Sequence, residues 1–364
     1  MITLFCVRPR RYNVGNETIF LGVRHLLHEA FPEGVNIVQV PALATTGEDA
    51  MAGLQASTVH QVNLYGHGVL VGGGNLYENG GLTVDVNALD ALRPPLMLFS
   101  LSHGRIYDNR HALVRRTDAM PHALVTALNT KAALSLARDD ATLDFLRTLG
   151  FTHPVLGGCP TLLLSEIAMP STSNTASVAG GTLLSIRSPQ LMSIPLREQA
   201  RLHGDLIRVI AALEADGHGP VRILCNDARD LAFASSLGDV ECILPDDVYS
   251  YLEMLRLARL VVSFRLHAFV PCLSFGTPAV NISYDERSLS LVRTIGLGEW
   301  DIDFVRSHDV VADVRDRCAR LNCLASLRDA AQPKWRELTT TMRDAMRSFA
   351  ELVRAYATEG PSAT

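Results

Sequence analysis

The sequence predicts an α/β protein of two similar-sized domains with a cleft between them, and three observations carry that prediction. At 364 residues the chain is too long for one typical domain and comfortable as two. Its apolar pattern switches repeatedly between short β-like runs and longer helical ones, the rhythm of parallel α/β units. That rhythm is broken by EIAMPSTSNTASVAGG (166–181), rich in Ser, Thr, Ala and Gly with almost no charge, and then restarts.

Taken in order, ITLFCV (2–7) reads as a strand, ETIFLGVRHLLHEAF (17–31) as an amphipathic helix and VNIVQV (35–40) as a second strand. VLVGGGNL (69–76) and LMLFSLSHG (96–104) look like buried strands running into glycine-bearing loops. HALVTALNT (122–130) is helical and AALSLA (132–137) a strand; DDATLDFLRTLG (139–150) is a helix capped by Asp139 or Asp140 and stopped by Gly150. After the break come strand TLLSIR (182–187), a helix over about 196–215, strand VRILC (221–225) and helix ARDLAFASSLG (228–238). Strand VECIL (240–244), helix DVYSYLEMLRLA (247–258), strand RLVVS (259–263), a short helix and strand AVNIS (279–283) complete the second unit. From Val310 on the pattern is almost wholly helical, with a break near Pro333. The expected division is a first domain over 1–170, a second over 171–335, and a C-terminal helix over 336–364 that packs back on the first.

An apolar content of 48% with 20% charged residues is that of an ordinary soluble globular protein. The net charge of −5 gives no general attraction to nucleic acid or an anionic membrane, while leaving room for a local basic pocket. Seven scattered cysteines in mostly apolar contexts read as reduced, buried packing in a cytosolic protein. Cys318 and Cys323 have no second pair to complete a zinc site, and no metal cluster is expected. The first residues run apolar then basic, the reverse of a signal peptide, and no window approaches the ~18 apolar residues of a membrane span. The expected location is the cytoplasm.

The stretch RLVVSFRLHAFVPCLSFGTPAVNISYDER (259–287) holds an arginine and a histidine two residues apart in an otherwise apolar run. Charged side chains are seldom fully buried unless paired. If RLVVS is a parallel strand, Arg265 and His267 sit just past its C-terminal end, where open α/β sheets bind ligands. The following helix start favours an anion, arginine offers a planar fork for carboxylate or phosphate, and histidine exchanges protons near neutral pH. That combination suits a small, doubly charged acid. The plainer alternative pairs Arg265 with an acid such as Asp285 and leaves His267 capping a turn.

The same stretch resembles the C-terminal signature of the polysaccharide pyruvyl transferase family: a strand, Ser-x-Arg-Leu-His, a short helix, Gly-Thr-Pro, another strand and a Tyr. NVGNE (13–17) resembles that family's N-terminal Asn-x-Gly-Asp-Glu loop, and VGGGNL (71–76) its triple-glycine strand end. ARDDATLDFLRTLG (137–150) resembles its Arg-Asp-x-x-Ser segment, and LLSIR (183–187) the strand opening its second domain. The resemblance implies two Rossmann-like domains facing across a cleft in a GT-B-like arrangement. It implies transfer of the pyruvyl group of phosphoenolpyruvate onto two sugar hydroxyls as a cyclic ketal, with no cofactor beyond that donor substrate. The donor site it implies comprises Arg187, Arg265, Leu266 and His267, with Arg287 where the family often has Lys; Arg265 and His267 would act in catalysis. The acceptor is a sugar or glycan, free, polymeric or lipid-linked, the last consistent with a peripheral place at the inner membrane face. The second domain would then be the donor side and the first the acceptor side.

On the acceptor side the candidates are Asn16, Glu17, Asn75 and His103. Asn16 stands where many family members have Asp, which weakens any claim to a carboxylate base there; Glu17 is read equally as serving only the first turn of its helix. The GGGN loop (72–75) reads as a tight turn or a place for a sugar to approach the backbone, and His103 as a turn residue or an acceptor contact. Asp139 is most simply an N-cap with Arg138 its structural partner, and Asp227 another cap. Two other classes stay open. A nucleotide-sugar glycosyltransferase shares the implied fold but needs a base-recognising loop, which is not evident. A non-catalytic glycan-pathway subunit would have no chemical reason to keep Arg187, Arg265 and His267 as an unpaired cationic cluster.

Overall fold

Side chains on both faces of β1 (Ile2–Arg8) are withdrawn from water: Leu4 and Cys6 enter one apolar cluster, Phe5 and Val7 another on the opposite side of the sheet. The computed structural model describes residues 1–9, 13–43, 51–78, 80–170 and 180–359; residues 171–179 of the Ser/Thr-rich break lie outside these. After β1 come α1 (Val14–Ala30), β2 (Val35–Pro41), α2 (Ala56–Tyr65), β3 (Gly68–Gly74), α3 (Val86–Asp90) and β4 (Leu96–Leu101). An antiparallel ribbon, β5 (Ile106–Tyr107) and β6 (Leu113–Val114), precedes α4 (His122–Lys131), β7 (Leu134–Ala137), α5 (Asp140–Thr148) and β8 (Val155–Leu156). A 3-10 helix over Pro160–Glu166 leads towards the second unit.

That unit comprises β9 (Thr182–Ile186), α6 (Leu196–Ala215), β10 (Val221–Cys225), α7 (Leu231–Ser235), β11 (Cys242–Ile243), α8 (Val248–Leu257) and β12 (Leu260–Ser263). Then follow α9 (Leu266–Phe275), β13 (Ala279–Ser283), α10 (Glu286–Thr294), β14 (Ile302–Asp303), α11 (Val310–Ala319) and α12 (Leu321–Glu359). Each unit is built on a six-stranded sheet, ordered β2-β1-β3-β4-β7-β8 and β11-β10-β9-β12-β13-β14, and the ladders within both are parallel. Strand order therefore reverses between β1 and β3 in the first sheet and between β9 and β12 in the second. Such switch points open a crevice at the carboxyl ends of the strands.

Two sequence expectations need correction. NVGNE is no loop: Asn13 is the N-cap of α1, its side chain accepting the Gly15 N–H at 3.0 Å, and Val14 to Glu17 form the first turn. Nor does Pro333 break the C-terminal helix, since α12 runs without interruption for 39 residues. Its apolar stripe continues across the proline, with Leu324 and Ala331 before it and Trp335, Leu338, Met342, Met346, Phe349 and Val353 after it, all buried. An interior proline costs about 3 kcal/mol. Burying one or two such side chains offsets that.

Helix α12 ties the units together. Trp335 Nε1 donates to the Ile295 carbonyl of the second unit at 2.8 Å, while Arg343 and Arg354 pair with Glu29 and Glu33 of the first at 3.0 and 2.9 Å. Nearer the cleft, the Val14 N–H donates to the Asn226 carbonyl at 3.0 Å, and the Asp140 and Ala141 N–H groups to Thr294 and Ser290 hydroxyls at 3.0 Å each. Glu286 at the start of α10 receives the Arg105 backbone N–H and its guanidinium.

Helix α1 crosses the 3-10 helix so closely that a Cβ on Gly22 would lie 2.4 Å from the Pro160 carbonyl oxygen. Alanine is intrinsically better in a helix by about 1 kcal/mol. Gly22→Ala is nevertheless expected to lose about 1–3 kcal/mol of stability by urea unfolding, because backbone must move; an unchanged midpoint would refute this contact.

Candidate active site

Both switch points open into one cavity of about 370 Å³. From the first unit come Asn13 and Asn16 after β1, Gly74 and Asn75 after β3, Arg116, and Arg138 directly after β7. From the second come Arg187 after β9, Asn226 and Arg229 after β10, Arg265, Leu266 and His267 after β12, and Tyr284, Asp285 and Arg287 after β13. The residues singled out in sequence as Asn16, Asn75, Arg187, Arg265, Leu266, His267 and Arg287 thus share one chamber, and Glu17 and His103 are not part of its lining.

Three of its corners repeat one local device. A strand ends, an aspartate caps the next helix, and an arginine lies beside that aspartate. Asp139 caps α5 by accepting the Thr142 N–H at 3.0 Å, Asp285 caps α10 by accepting that of Ser288 at 3.1 Å, and Asp227 accepts that of Arg229 at 3.0 Å. The same Asp285 pairs with Arg287 at 2.9 Å, and Asp227 with Arg229 at 2.5 Å and Arg187 at 3.4 Å. Asp230, fully buried, lies 3.5 Å from Arg187 and 3.7 Å from Arg265. Arg187 and Arg265 are therefore not the unpaired cluster that the sequence suggested, and the partner of Arg265 is Asp230 rather than Asp285. Burial first, and then the neighbouring Arg187 guanidinium, draw the Arg265 pKa below its ordinary value.

The fourth corner breaks the pattern. Arg265 itself occupies the N-cap of α9 and makes no side-chain cap; its own N–H is taken by the Ser263 hydroxyl at 2.9 Å. Among the described residues no carboxylate caps this helix start, which favours an anion there. His267 lies in the first turn with φ −89° and ψ 18°, the sparsely populated bridge region. Pro271, four residues on, lacks the N–H that would bond the His267 carbonyl. The Tyr251 hydroxyl donates to that carbonyl instead at 2.9 Å; Asn226 donates to Tyr251 at 2.8 Å and accepts from Ser185 at 2.8 Å. A buried relay from β9 through α8 thus fixes the histidine backbone. Among the described residues its buried Nε2 has no hydrogen-bond partner. Desolvation, followed by Arg138, Arg287 and Arg265, holds its pKa well below the usual value, so the ligand-free ring is neutral at pH 7.

Glu17 turns to Arg8, at 2.5 Å, and His103 lines a different pocket with Arg105, Asp144 and Glu286. The His103 ring stacks on Phe145 with centroids 3.8 Å apart and is 6% exposed. Sequence reasoning passed over Arg116, Arg229 and Glu78, and took Arg138 only as the structural partner of Asp139. Position directly after a strand could have signalled Arg138; the others carry no local mark. Glu78 is buried, accepts from Ser102 at 3.2 Å, and is pushed up to about 7 by burial.

Two predictions follow from these placements. Tyr251→Phe leaves the His267 carbonyl unmatched and is expected to lower stability by about 1–3 kcal/mol in urea unfolding; an unchanged midpoint would show that the relay is dispensable. Burial lowers the His103 pKa to about 4, against ~6.5 in an unfolded chain. Between those values the unfolded state binds a proton that the folded state refuses. This contribution to stability is therefore complete above pH ~6.5 and is lost as pH falls towards 4, by up to about 1.4 kcal/mol per pH unit. Unfolding at pH 7, 6 and 5 should show a shallower decline in His103→Gln than in wild type, and parallel profiles would contradict it.

Several solved structures share the fold at low sequence identity. The UDP-GlcNAc 2-epimerase of Neisseria meningitidis bound to UDP-GlcNAc superposes with a TM-score of 0.56 at 9% identity, over 99% of this chain and 100% of that one. The UDP-N-acetylglucosamine 2-epimerase of Rickettsia bellii gives 0.55 at 12% identity, over 99% and 98%. S. aureus MnaA with UDP gives 0.54 at 12%, over 88% and 90%. At such identities the likeness is one of fold, the two-domain GT-B architecture. No curated protein matches the chain in sequence. The family model described as polysaccharide pyruvyl transferase matches residues 13–286, which takes in the cavity corners from Asn13 to Asp285, and the chain belongs to that family.

Proposed function

We propose that the chain transfers the pyruvyl group of phosphoenolpyruvate to two hydroxyls of a sugar in a glycan or glycan precursor, forming a cyclic ketal and releasing phosphate. The observation that carries this reading is the arginine-lined cavity closed by the uncapped start of α9, with His267 in its first turn. The donor brings a phosphate and a carboxylate, and guanidinium forks with a helix N-terminus suit both. In the reaction a proton adds to the methylene carbon, which becomes a methyl group, and C2 becomes electrophilic. One sugar hydroxyl attacks C2, the C2–O bond to phosphate breaks, and a second hydroxyl closes the ketal. Of the two hydroxyl protons, one balances that delivered to carbon and the other leaves with phosphate. His267 is the group assigned to acid catalysis or to the departing phosphate, and the arginines stabilise charge on the leaving group. The donor serves as a substrate, and no cofactor enters these steps. The acceptor binds from the Asn16 and Asn75 side.

His267 is held neutral first by burial and then by three guanidiniums, and a multivalent anion that offsets those guanidiniums favours its protonation. Calorimetric titration with phosphoenolpyruvate should therefore show binding by wild type, with net proton uptake detectable in buffers of different ionisation enthalpy. Arg265→Ala should weaken binding by roughly 100-fold, the scale of a lost charged hydrogen bond. His267→Gln should bind without the uptake. Binding of a nucleotide sugar in place of phosphoenolpyruvate would transfer the assignment to a glycosyltransferase.

A further inference from the structure

We infer that Asp301 is the proton acceptor for the attacking sugar hydroxyl, reached from the cavity through the hydroxyls of Ser288 and Ser283. This rests on the transfer reading of the cavity and assigns the base that the reading leaves open.

Among the described residues the carboxylate of the cavity lining is Asp285, and it is committed to the Ser288 N–H at 3.1 Å and to Arg287 at 2.9 Å. A carboxylate held in this way is a weak base. Ser288 stands beside it in the lining, in the first turn of α10, and its hydroxyl leads inward. Ser288 Oγ lies 2.8 Å from Ser283 Oγ at the end of β13, and Ser283 Oγ lies 2.6 Å from Asp301 Oδ2. The Asn281 amide nitrogen braces this chain, 2.9 Å from Ser283 Oγ and 2.7 Å from Asp301 Oδ1. Asp301 opens on the far side of α10, into a second pocket of about 670 Å³ that shares no lining residue with the cavity. A chain of buried hydroxyls thus joins two separate spaces.

A serine hydroxyl both donates and accepts, so two orientations of the chain are complete. With Asp301 ionised, Ser288 donates to Ser283 and Ser283 to Asp301, and the Ser288 oxygen is ready to accept from the cavity. With Asp301 protonated, every hydroxyl turns about and donates towards the cavity. Burial, with Asp303 adding to it, pushes the Asp301 carboxyl up to about 7 against the hydrogen bonds from Ser283 and Asn281, so both orientations are populated near neutral pH. The charged and titratable groups of its pocket are Tyr107, Glu286, Arg293, Glu299, Asp303 and Arg306, while Arg317 of α11 is taken up by the Trp300 and Glu299 carbonyls.

The proton count closes. As the first sugar hydroxyl forms its bond to C2, its O–H bond breaks and its proton passes to Ser288, that of Ser288 to Ser283, and that of Ser283 to Asp301. The methylene carbon takes the proton drawn in with the donor, and the proton of the second hydroxyl leaves with phosphate. Asp301 then returns its proton to water in the second pocket, so that none is gained or lost over the cycle.

The test follows phosphate release from phosphoenolpyruvate by the full chain, with methyl hexopyranosides as acceptor probes, from pH 6 to 8.5. Wild type is compared with Asp301→Asn, Ser283→Ala and Ser288→Ala, and donor affinity and ligand-free melting temperature are measured for each. Infrared difference spectra between pH 6 and 8 follow carboxyl protonation without any acceptor. Wild-type turnover should rise as pH climbs through about 7, because only the ionised carboxylate accepts a proton. Asp301→Asn should lose that rise and run roughly 100-fold slower with donor affinity unchanged. The serine variants should also slow turnover, since each cuts the chain and keeps the carboxylate. The protonated-carboxyl band that fades between pH 6 and 8 should weaken in Asp301→Asn, with Glu78 supplying what remains. Variants that keep wild-type turnover and its pH profile overturn the inference and leave the transfer reading standing, as does an infrared band unchanged in Asp301→Asn. Slower turnover matched by weaker donor binding, or a lower melting temperature with the wild-type pH profile, would make the chain structural only. Wild type that binds phosphoenolpyruvate but releases phosphate with none of the probes overturns the transfer reading, and this inference with it.

Discussion

A guanidinium withdrawn from water without compensation costs several kcal/mol, and this cavity gathers Arg116, Arg138, Arg187, Arg229, Arg265 and Arg287. The fold tolerates them because the aspartates that start its helices also act as their counterions. An N-cap carboxylate has a spare oxygen once it has accepted a backbone N–H, and at the carboxyl end of a parallel sheet that oxygen points into the crevice. Asp227 and Asp285 serve in this double way. The local rule that begins a helix therefore also sets where the arginines stand. Removing one of these carboxylates would loosen a helix start and release its paired arginine together.

The arrangement trades mobility for placement. The relay from Ser185 through Asn226 and Tyr251 to the His267 carbonyl crosses three elements of the second domain. The contacts from Asp139 and Asp140 to α10 pin the first domain against the same site. Each hydrogen bond contributes only about 1 kcal/mol net, but leaving a buried partner unmatched costs more, so such networks specify one geometry more strongly than they stabilise it. A site assembled across two domains needs that specification, because neither sheet alone fixes the distance between its own strand ends and those facing it.

How much of this could be read beforehand follows from the range of each interaction. The doubly wound sheets and the place of Arg265 and His267 were legible because strand, cap and helix start lie within a few residues. Asp139 does cap α5 and pairs with its neighbour Arg138 at 3.7 Å, as adjacency suggests, whereas its bond from Ser290, 151 residues away, has no local mark. Glu17 misled: its partner is Arg8, brought near by the path from β1 into α1. His103 does follow β4, but its ring stacks on Phe145 of α5, a contact with no mark in the local sequence. Pro333 was read from its own penalty, while the buried stripe running through it to Val353 outweighs that penalty. Intervals of three or four residues reveal such a stripe, but what it packs against belongs to the fold.

Charge balance links the cavity to the proposed chemistry. Among the described residues the six arginines face Asp118, Asp139, Asp227, Asp230 and Asp285, one carboxylate fewer, and burial of Glu78 holds its carboxyl at about 7, so near neutral pH it adds only part of a charge. Asn16, an amide in the chamber lining, cancels none of the excess. A donor carrying phosphate and carboxylate brings more negative charge than this excess, so the filled cavity gains by taking up a proton. Burial is the first cause that keeps His267 neutral, and the guanidiniums that add to it are the ones the donor would neutralise. On the proposed reading the acid is absent until the donor arrives: an empty cavity has no proton poised at His267, and the donor draws one in as it binds.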